Sequence, residues 1–510
     1  MKLVSNLSGA LPASVLLAGV LALSSCAPRA QEPSTPGAFA LPEGYQIEKV
    51  VDGLNFPSSV TFDDQGQMYV VESGGGLTPM QARPMRILRV EGGQVSEVVN
   101  LDNLGVGAPI AGITWHEGAF YITHRHGENR TGTVSRVTPD GQITEVLSGI
   151  IDSQSEHHVN SIEVGPDGLM YIGVGEAANA AVIGDDIAPF VELSPELQAR
   201  PCQDITLRGH NFQSEDFRTD AEGDMVLTGA FVPFGTPTEP GQVVKGVTKC
   251  GGSILSFDPN DAEGTLKVHA WGFRQPIDIA FDDQSGELYV AENGYDNRGP
   301  RPVNDEFDAT LRVEQGTWYG VPDFSAAREP LSDPKFEAPD DLQATVFEGT
   351  DTELGKELDF VIDHEASGLT PPDPSLVIGL HPFNSSPSGL DVAPESWGEL
   401  AGDVFVAEWG DLAPATNPVR GQEPAGFRVV RIDPGSGQLE PFVSNVAPGP
   451  ASKQDAAGEG LERPFDVKFG PDSAMYISDY GVVNVNAEQM PPYQQMAGTG
   501  VIWRVTRTGK

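Results

Sequence analysis

Residues 271–306 read WGFRQPIDIAFDDQSGELYVAENGYDNRGPRPVNDE. An alternating apolar run, Ile277, Ile279 and Phe281, meets a turn built of Asp282, Asp283, Gln284, Ser285 and Gly286. A second run, Leu288, Tyr289, Val290 and Ala291, follows. Branched and aromatic residues at period two around an Asp/Ser/Gly turn predict a β-hairpin. The chain repeats this pattern at 57–74, 109–125, 157–175, 386–410 and 464–481. Most copies are followed by a third apolar run, such as 87–90 or 502–505, and often by a fourth, such as 439–443. Four short strands in units of about 50 residues predict propeller blades. A hairpin of this size cannot bury its apolar face alone, so the copies are expected to pack radially. The expected fold is all-β, a six-bladed β-propeller of four-stranded antiparallel blades. The last copy stops at its third strand, while an orphan strand, 45–51, precedes the first. That N-terminal strand is expected to complete the sixth blade and close the ring.

The repeat also locates a site. Each first strand leaves one face of the ring and each second strand returns to it. Residues just before first strands, Asn55, His157, His158, Arg274, Gln275, Ser386 and Arg463, should share that face with residues just after second strands. The latter are Glu72, His124, Val174, Glu292, Glu408 and Asp479. Acids, imidazoles and guanidiniums are therefore expected to converge on one mouth of the central channel.

Lys2 and an apolar segment at 11–23 read as an export signal. It ends Leu23-Ser24-Ser25-Cys26, a bacterial lipobox pattern, so Cys26 is the expected lipidation site and the protein is expected to be exported and lipid-anchored to the cell envelope. Residues 1–26 are the signal, 27–40 a Pro/Ala/Ser-rich tether, and 41–510 the propeller, with insertions at about 177–251 and 325–385. The first insertion should fall within the third blade, at the channel mouth, and act as a lid or specificity loop. The second should lie between blades four and five, with a weak helical patch near 340–358. Lys and Arg number 31 against 73 Asp and Glu. That balance argues against nucleic acid and anionic membrane surfaces, and favours a neutral substrate. In an oxidising compartment Cys202 and Cys250 should form a disulfide. There is no CxxC, hence no c-type haem site and no cysteine metal site.

The ordered set of 157–175, 272–294, 317–324 and 385–392 resembles the glucose/sorbosone dehydrogenase family, bacterial quinoprotein propellers, over nearly all of 41–507. The resemblance implies a sugar dehydrogenase that uses pyrroloquinoline quinone and Ca²⁺, a small neutral sugar and an external electron acceptor. It implies His157 as the general base at the sugar C1 hydroxyl, a role that an imidazole titrating near neutrality can fill. It implies His158, Asn160, Arg274 and Gln275 around the quinone, with Arg274 the anion-stabilising group. It implies Ca²⁺ on the backbone carbonyls of Gly294 and Tyr295, in a loop made acidic by Glu292, Asp296, Asp305 and Glu306. The chain departs from the family where Val159-Asn160-Ser161 replaces Gly-Gly-Arg, Gln275 replaces Asn, and Tyr295 replaces Pro. The family's quinone-holding Lys and later Arg residues are not placed by any motif of this sequence. Two alternatives stand beside this reading. One is a metal-dependent lactonase using Glu72, Glu292, Glu408 and Asp479. The other is a non-catalytic carbohydrate-binding propeller.

Overall fold

The computed structural model describes residues 38–508 apart from 220, 222, 305, 418–422, 490 and 491, so Cys26, the leader and Asp305 lie outside the described residues. Six antiparallel sheets of four principal strands follow one another. Blade 1 is Pro57–Phe62, Met68–Ser73, Met85–Glu91 and Gln94–Asn100. Blade 2 is Ile113–His116, Ala119–His126, Gly132–Val137 and Ile143–Ile150. Blade 3 is Val159–Val164, Met170–Val174, Ser253–Phe257 and Lys267–Trp271. Blade 4 is Gln275–Phe281, Leu288–Asn293, Asp308–Val313 and Val377–His381. Blade 5 is Pro387–Val392, Val404–Glu408, Arg428–Asp433 and Gln438–Asn445. Blade 6 is Pro464–Phe469, Met475–Asp479 and Gly500–Arg507, with Tyr45–Leu54 antiparallel to the last of these. The fold is a six-bladed β-propeller.

The hairpin at 271–306 shows how sequence sets register. Gln275 pairs with Asn293 and Phe281 with Leu288. Between them Asp282 accepts bonds from the Gln284 N–H and the Ser285 hydroxyl, and Gly286 takes φ +75°, a left-handed conformation that favours glycine. The apolar side chains gather between neighbouring blades. Ile87 and Ile122 meet between blades 1 and 2, Ile172 and Leu147 between 2 and 3, and Ile254 and Val290 between 3 and 4. Tyr289 and Val406 meet between 4 and 5, Phe405 and Ile477 between 5 and 6, and Ile502 and Val70 between 6 and 1. Polar staples link the inner strands. Asp278 accepts from the Leu390 N–H, Asp391 from the Phe469 N–H, and Asp466 from the Val60 N–H.

The insertions differ from expectation in two ways. The second lies inside blade 4, between Asp308–Val313 and Val377–His381, and the strand that ends it is that blade's outer strand. In place of the helical patch it forms a hairpin, Val346–Glu348 with Thr352–Gly355, because the branched Val346 and a Gly349-Thr350-Asp351 turn outweigh a weak helical period. The first insertion leaves blade 3 between its second and third strands, and a disulfide joins Cys202 to Cys250. Its strands Met225–Gly229 and His210–Glu215 continue into Val346–Glu348 of the second insertion. Phe190, Phe212, Phe231, Trp318, Phe324 and Ile362 form a core between the two, so this region is a packed body with its own sheet and not an unstructured loop. Among the described residues no helix is long and apolar enough to cross a membrane.

Candidate functional site

First strands begin, and second strands end, around a cavity of about 190 Å³ at the channel mouth. His157 and His158 sit immediately before Val159–Val164, Arg274 immediately before Gln275–Phe281, and Asn293-Gly294 where Leu288–Asn293 ends. Of the residues expected there, His157, His158, Asn160, Arg274, Gln275, Gly294 and Ser386 line the cavity. Tyr295 does not. Its ring packs with Val321, Leu331 and Phe336, and its hydroxyl donates to the Phe324 carbonyl.

The acids expected to converge on the mouth turn back into their blades. Glu72 accepts from the Asn55 N–H at 2.8 Å and pairs with Arg86 at 2.6 Å. Glu292 accepts from the Arg274 N–H and pairs with Arg328, both at 2.8 Å. Glu408 pairs with His381 at 2.8 Å and Arg428 at 2.6 Å. Asp479 accepts from the N–H groups of Glu462 and Arg463 at 2.8 Å. All four are buried and none lines the cavity. His124 is likewise internal, bonded to Ser135, and burial lowers its pKa to about 4. The Arg463 guanidinium bonds the Gly410 and Asp411 carbonyls and stacks on Trp409 at 4.2 Å, so it supports the cavity wall without reaching the cavity.

His157 is held in one tautomer. Its Nδ1 lies 2.8 Å from the Glu176 carbonyl oxygen, which can only accept, so Nδ1 carries the proton and Nε2 the lone pair. Burial, then the Arg274 and Arg298 charges, hold its pKa well below the usual imidazole range. The ring is therefore neutral near pH 7 and able to accept a proton. Glu156 Oε1 stands 3.4 Å from Nε2, where it can stabilise the imidazolium once formed. His158, pushed down to about 3 by burial and the Arg125 charge, keeps its Nδ1 on the Val159 carbonyl. Asn160 donates to the Pro276 carbonyl at 2.9 Å, tying blade 3 to blade 4 beneath the cavity.

Asp296 organises the blade 4 side. It accepts from Arg274 at 2.8 Å, Arg298 at 3.0 Å and Asn384 at 2.9 Å. Arg298 also holds Glu156, and it reaches Asp186 of the first insertion at 2.5 Å. Asp308 accepts from the Gly294 N–H at 2.8 Å and the Ser386 N–H at 2.9 Å, while burial raises its pKa to about 6. Asn293, on the same rim, has a buried Oδ1 with no protein partner. Opposite stands an apolar wall of Leu77, Trp409, Leu412, Phe465, Tyr480 and Tyr493, where the buried Trp409 Nε1 also lacks a protein partner. Sequence reasoning missed Glu156, Asn293, Arg298, Asp308 and this aromatic wall. The signal for Asn293 was its place directly after a second strand, the position from which the neighbouring Glu292 was chosen.

Among the described residues no group of three His, Cys, Asp or Glu side chains could hold a metal ion. No family model matches the chain, and no curated relative matches it. Solved structures do. An iodide structure of Trichoderma reesei Carbohydrate-Active Enzymes Family AA12 is 14% identical with a TM-score of 0.52, covering 94% of this chain and 100% of that one. Its calcium structure gives the same identity and TM-score, over 94% and 99%. The holo form of the pyranose dehydrogenase PQQ domain from Coprinopsis cinerea is 14% identical with a TM-score of 0.50, over 93% and 98%. The fold is shared. At this identity the likeness is one of architecture, and the chemistry rests on the cavity.

Proposed function

We propose that this protein is an exported sugar oxidoreductase that oxidises a neutral aldose at its anomeric carbon, with pyrroloquinoline quinone and Ca²⁺ as cofactors and an external electron acceptor. The observation that carries the reading is His157, a buried imidazole at the cavity wall with Nδ1 anchored to a carbonyl and Nε2 carrying the lone pair. The residues present accommodate the cofactors. Asn293 Oδ1, an orphaned buried acceptor, and the carbonyls of Gly294 and Tyr295 would hold the Ca²⁺, oxygen ligands of the kind a hard cation takes. Gln275, His158, Asn160 and the guanidiniums of Arg274 and Arg298 would hold the polar edge of the quinone, and the aromatic wall would cover its ring. When bound, the quinone would supply the two-electron oxidant that no side chain provides.

The chain's own residues do the rest. His157 Nε2 takes the proton of the C1 hydroxyl as that oxygen becomes a carbonyl. Glu156 stabilises the resulting imidazolium, and Arg298 fixes Glu156 beside the ring. Arg274, itself held by Asp296 and Asn179, is a fixed positive charge where negative charge develops. Aromatic and aliphatic side chains exclude water from one side of the cavity. The disulfide suits an oxidising compartment, consistent with export; the anchor would be a lipid on Cys26.

The lactonase alternative has lost its ligands, since Glu72, Glu292, Glu408 and Asp479 are committed to partners in their own or adjoining blades. A second reading, a sugar-binding propeller without quinone, draws on the pairing of both cavity guanidiniums with Asp296, because a tricarboxylate must compete with that acid. One experiment separates the two. The apo-protein is titrated with quinone and Ca²⁺, then assayed on aldoses with an artificial electron acceptor. Turnover dependent on both supports the dehydrogenase, whereas sugar binding without quinone binding supports the second reading.

A further inference from the structure

A second cleft, of about 490 Å³, lies between the two insertions and shares Arg298 with the central cavity. Three buried polar side chains on its wall are incompletely satisfied. Gln343 is 4% exposed and neither its Oε1 nor its Nε2 has a protein partner. Ser214 Oγ, on the strand His210–Glu215, and Asn297 Oδ1 also lack one, at 8% and 1% exposure. The Asn297 amide nitrogen is committed to Asn304 and Asn417, at 3.1 and 3.2 Å, so the oxygen is the atom left over. Buried polar groups in folded proteins are nearly always bonded, so orphans gathered around one cleft point to a ligand.

The donor set selects the ligand class. Ser214 and Gln343 offer donors together with acceptors, and Asn297 adds an acceptor. A metal ion would want acceptors alone. An anion would meet Asp185, Asp186 and Asp341, against Arg298 and Lys356, in a chain of formal charge −42. Hydroxyl groups, each both donor and acceptor, suit the mixture. Met225, Leu342 and Ala344 supply an apolar strip against which the C–H face of a sugar ring can lie. We propose that this cleft is a binding site for a neutral saccharide unit, separate from the central cavity and built by the two insertions. The site does not depend on the oxidoreductase reading, since Gln343 and Ser214 do not line the central cavity.

The test is calorimetric titration of the full chain, without quinone, using glucose and maltotetraose as probes. Binding of both identifies a free monosaccharide as sufficient, whereas binding of maltotetraose alone identifies a unit within a longer chain. In Gln343→Leu, saccharide affinity should fall about tenfold or more. The melting temperature should hold or rise, because no protein hydrogen bond is removed. Ser214→Ala, which deletes only a hydroxyl, repeats the test should Gln343→Leu fail to fold. The proposal is overturned if neither probe binds the wild type at millimolar concentration. It is equally overturned if both variants bind as the wild type does, which would assign any heat to the central cavity.

Discussion

The carboxylates at the tops of the blades and the polar groups on the blade 3–4 rim occupy the same face of the ring, yet they end differently. Glu72, Glu292, Glu408 and Asp479 are buried and fully engaged with the N–H groups and cations of their own or adjoining blades. Asn293 Oδ1 is buried as well, but no donor reaches it, and His157 keeps its Nε2 at the cavity wall with Nδ1 alone bonded to backbone. The difference teaches that residue type at a repeat position does not decide role. What decides it is whether the neighbouring backbone already satisfies the group.

Breaking the engaged set should cost stability most. Glu408 is fully buried, and although burial pushes its pKa up, His381 and Arg428 outweigh that and hold it below the usual range. Glu408→Ala strands both partners and should destabilise the fold by about 3–5 kcal/mol, read from chemical denaturation. A loss under about 1 kcal/mol would mean the pair is not what secures blade 4 to blade 5.

Substitutions at the cavity rim should act on activity first. His157→Ala should lower turnover roughly 10²–10⁴-fold while quinone affinity holds. Arg274→Ala should weaken quinone binding and rate together, as measured by quinone titration beside steady-state kinetics. If His158→Ala abolishes turnover and His157→Ala does not, the base is the neighbouring histidine.

The smallest effect sharpens the contrast through pH. Burial raises the carboxyls of Glu176 and Asp152 to about 8 each, from an unfolded range near 4. Between these limits the native state keeps protons that the unfolded chain releases, so stability falls as pH rises toward 8. The lowered histidines act oppositely, but only below their unfolded pKa of about 6.5. From about pH 6.5 to 8, melting temperature should therefore decline, and Glu176→Gln should flatten that slope. A wild-type slope unchanged by the substitution would mean that Glu176 is ionised in the folded protein.

The propeller was legible because each hairpin carries its own instructions, such as the Asp282 and Gly286 turn and the period-two run before it. His157 and Arg274 were legible because they stand at equivalent places in two copies. How the two insertions pack together was not, since Val346–Glu348 finds its partner in His210–Glu215, well over a hundred residues away, and a three-residue strand carries no signal of partner. Asp186 was invisible for the same reason, as its tie to Arg298 exists only once both segments are folded. The fate of Glu72 was hidden because a sequence shows the acid but not the Asn55 N–H that claims it.

The apolar wedges between blades have a consequence for how the molecule comes apart. Val290 belongs to blade 4 yet is covered by Ile254 of blade 3, and Tyr289 beside it by Val406 of blade 5. A blade that peels away uncovers oily surface on both of its neighbours as well as its own. Partial openings are therefore penalised three times over, and the ring should melt as one cooperative unit, with no blade able to fray alone.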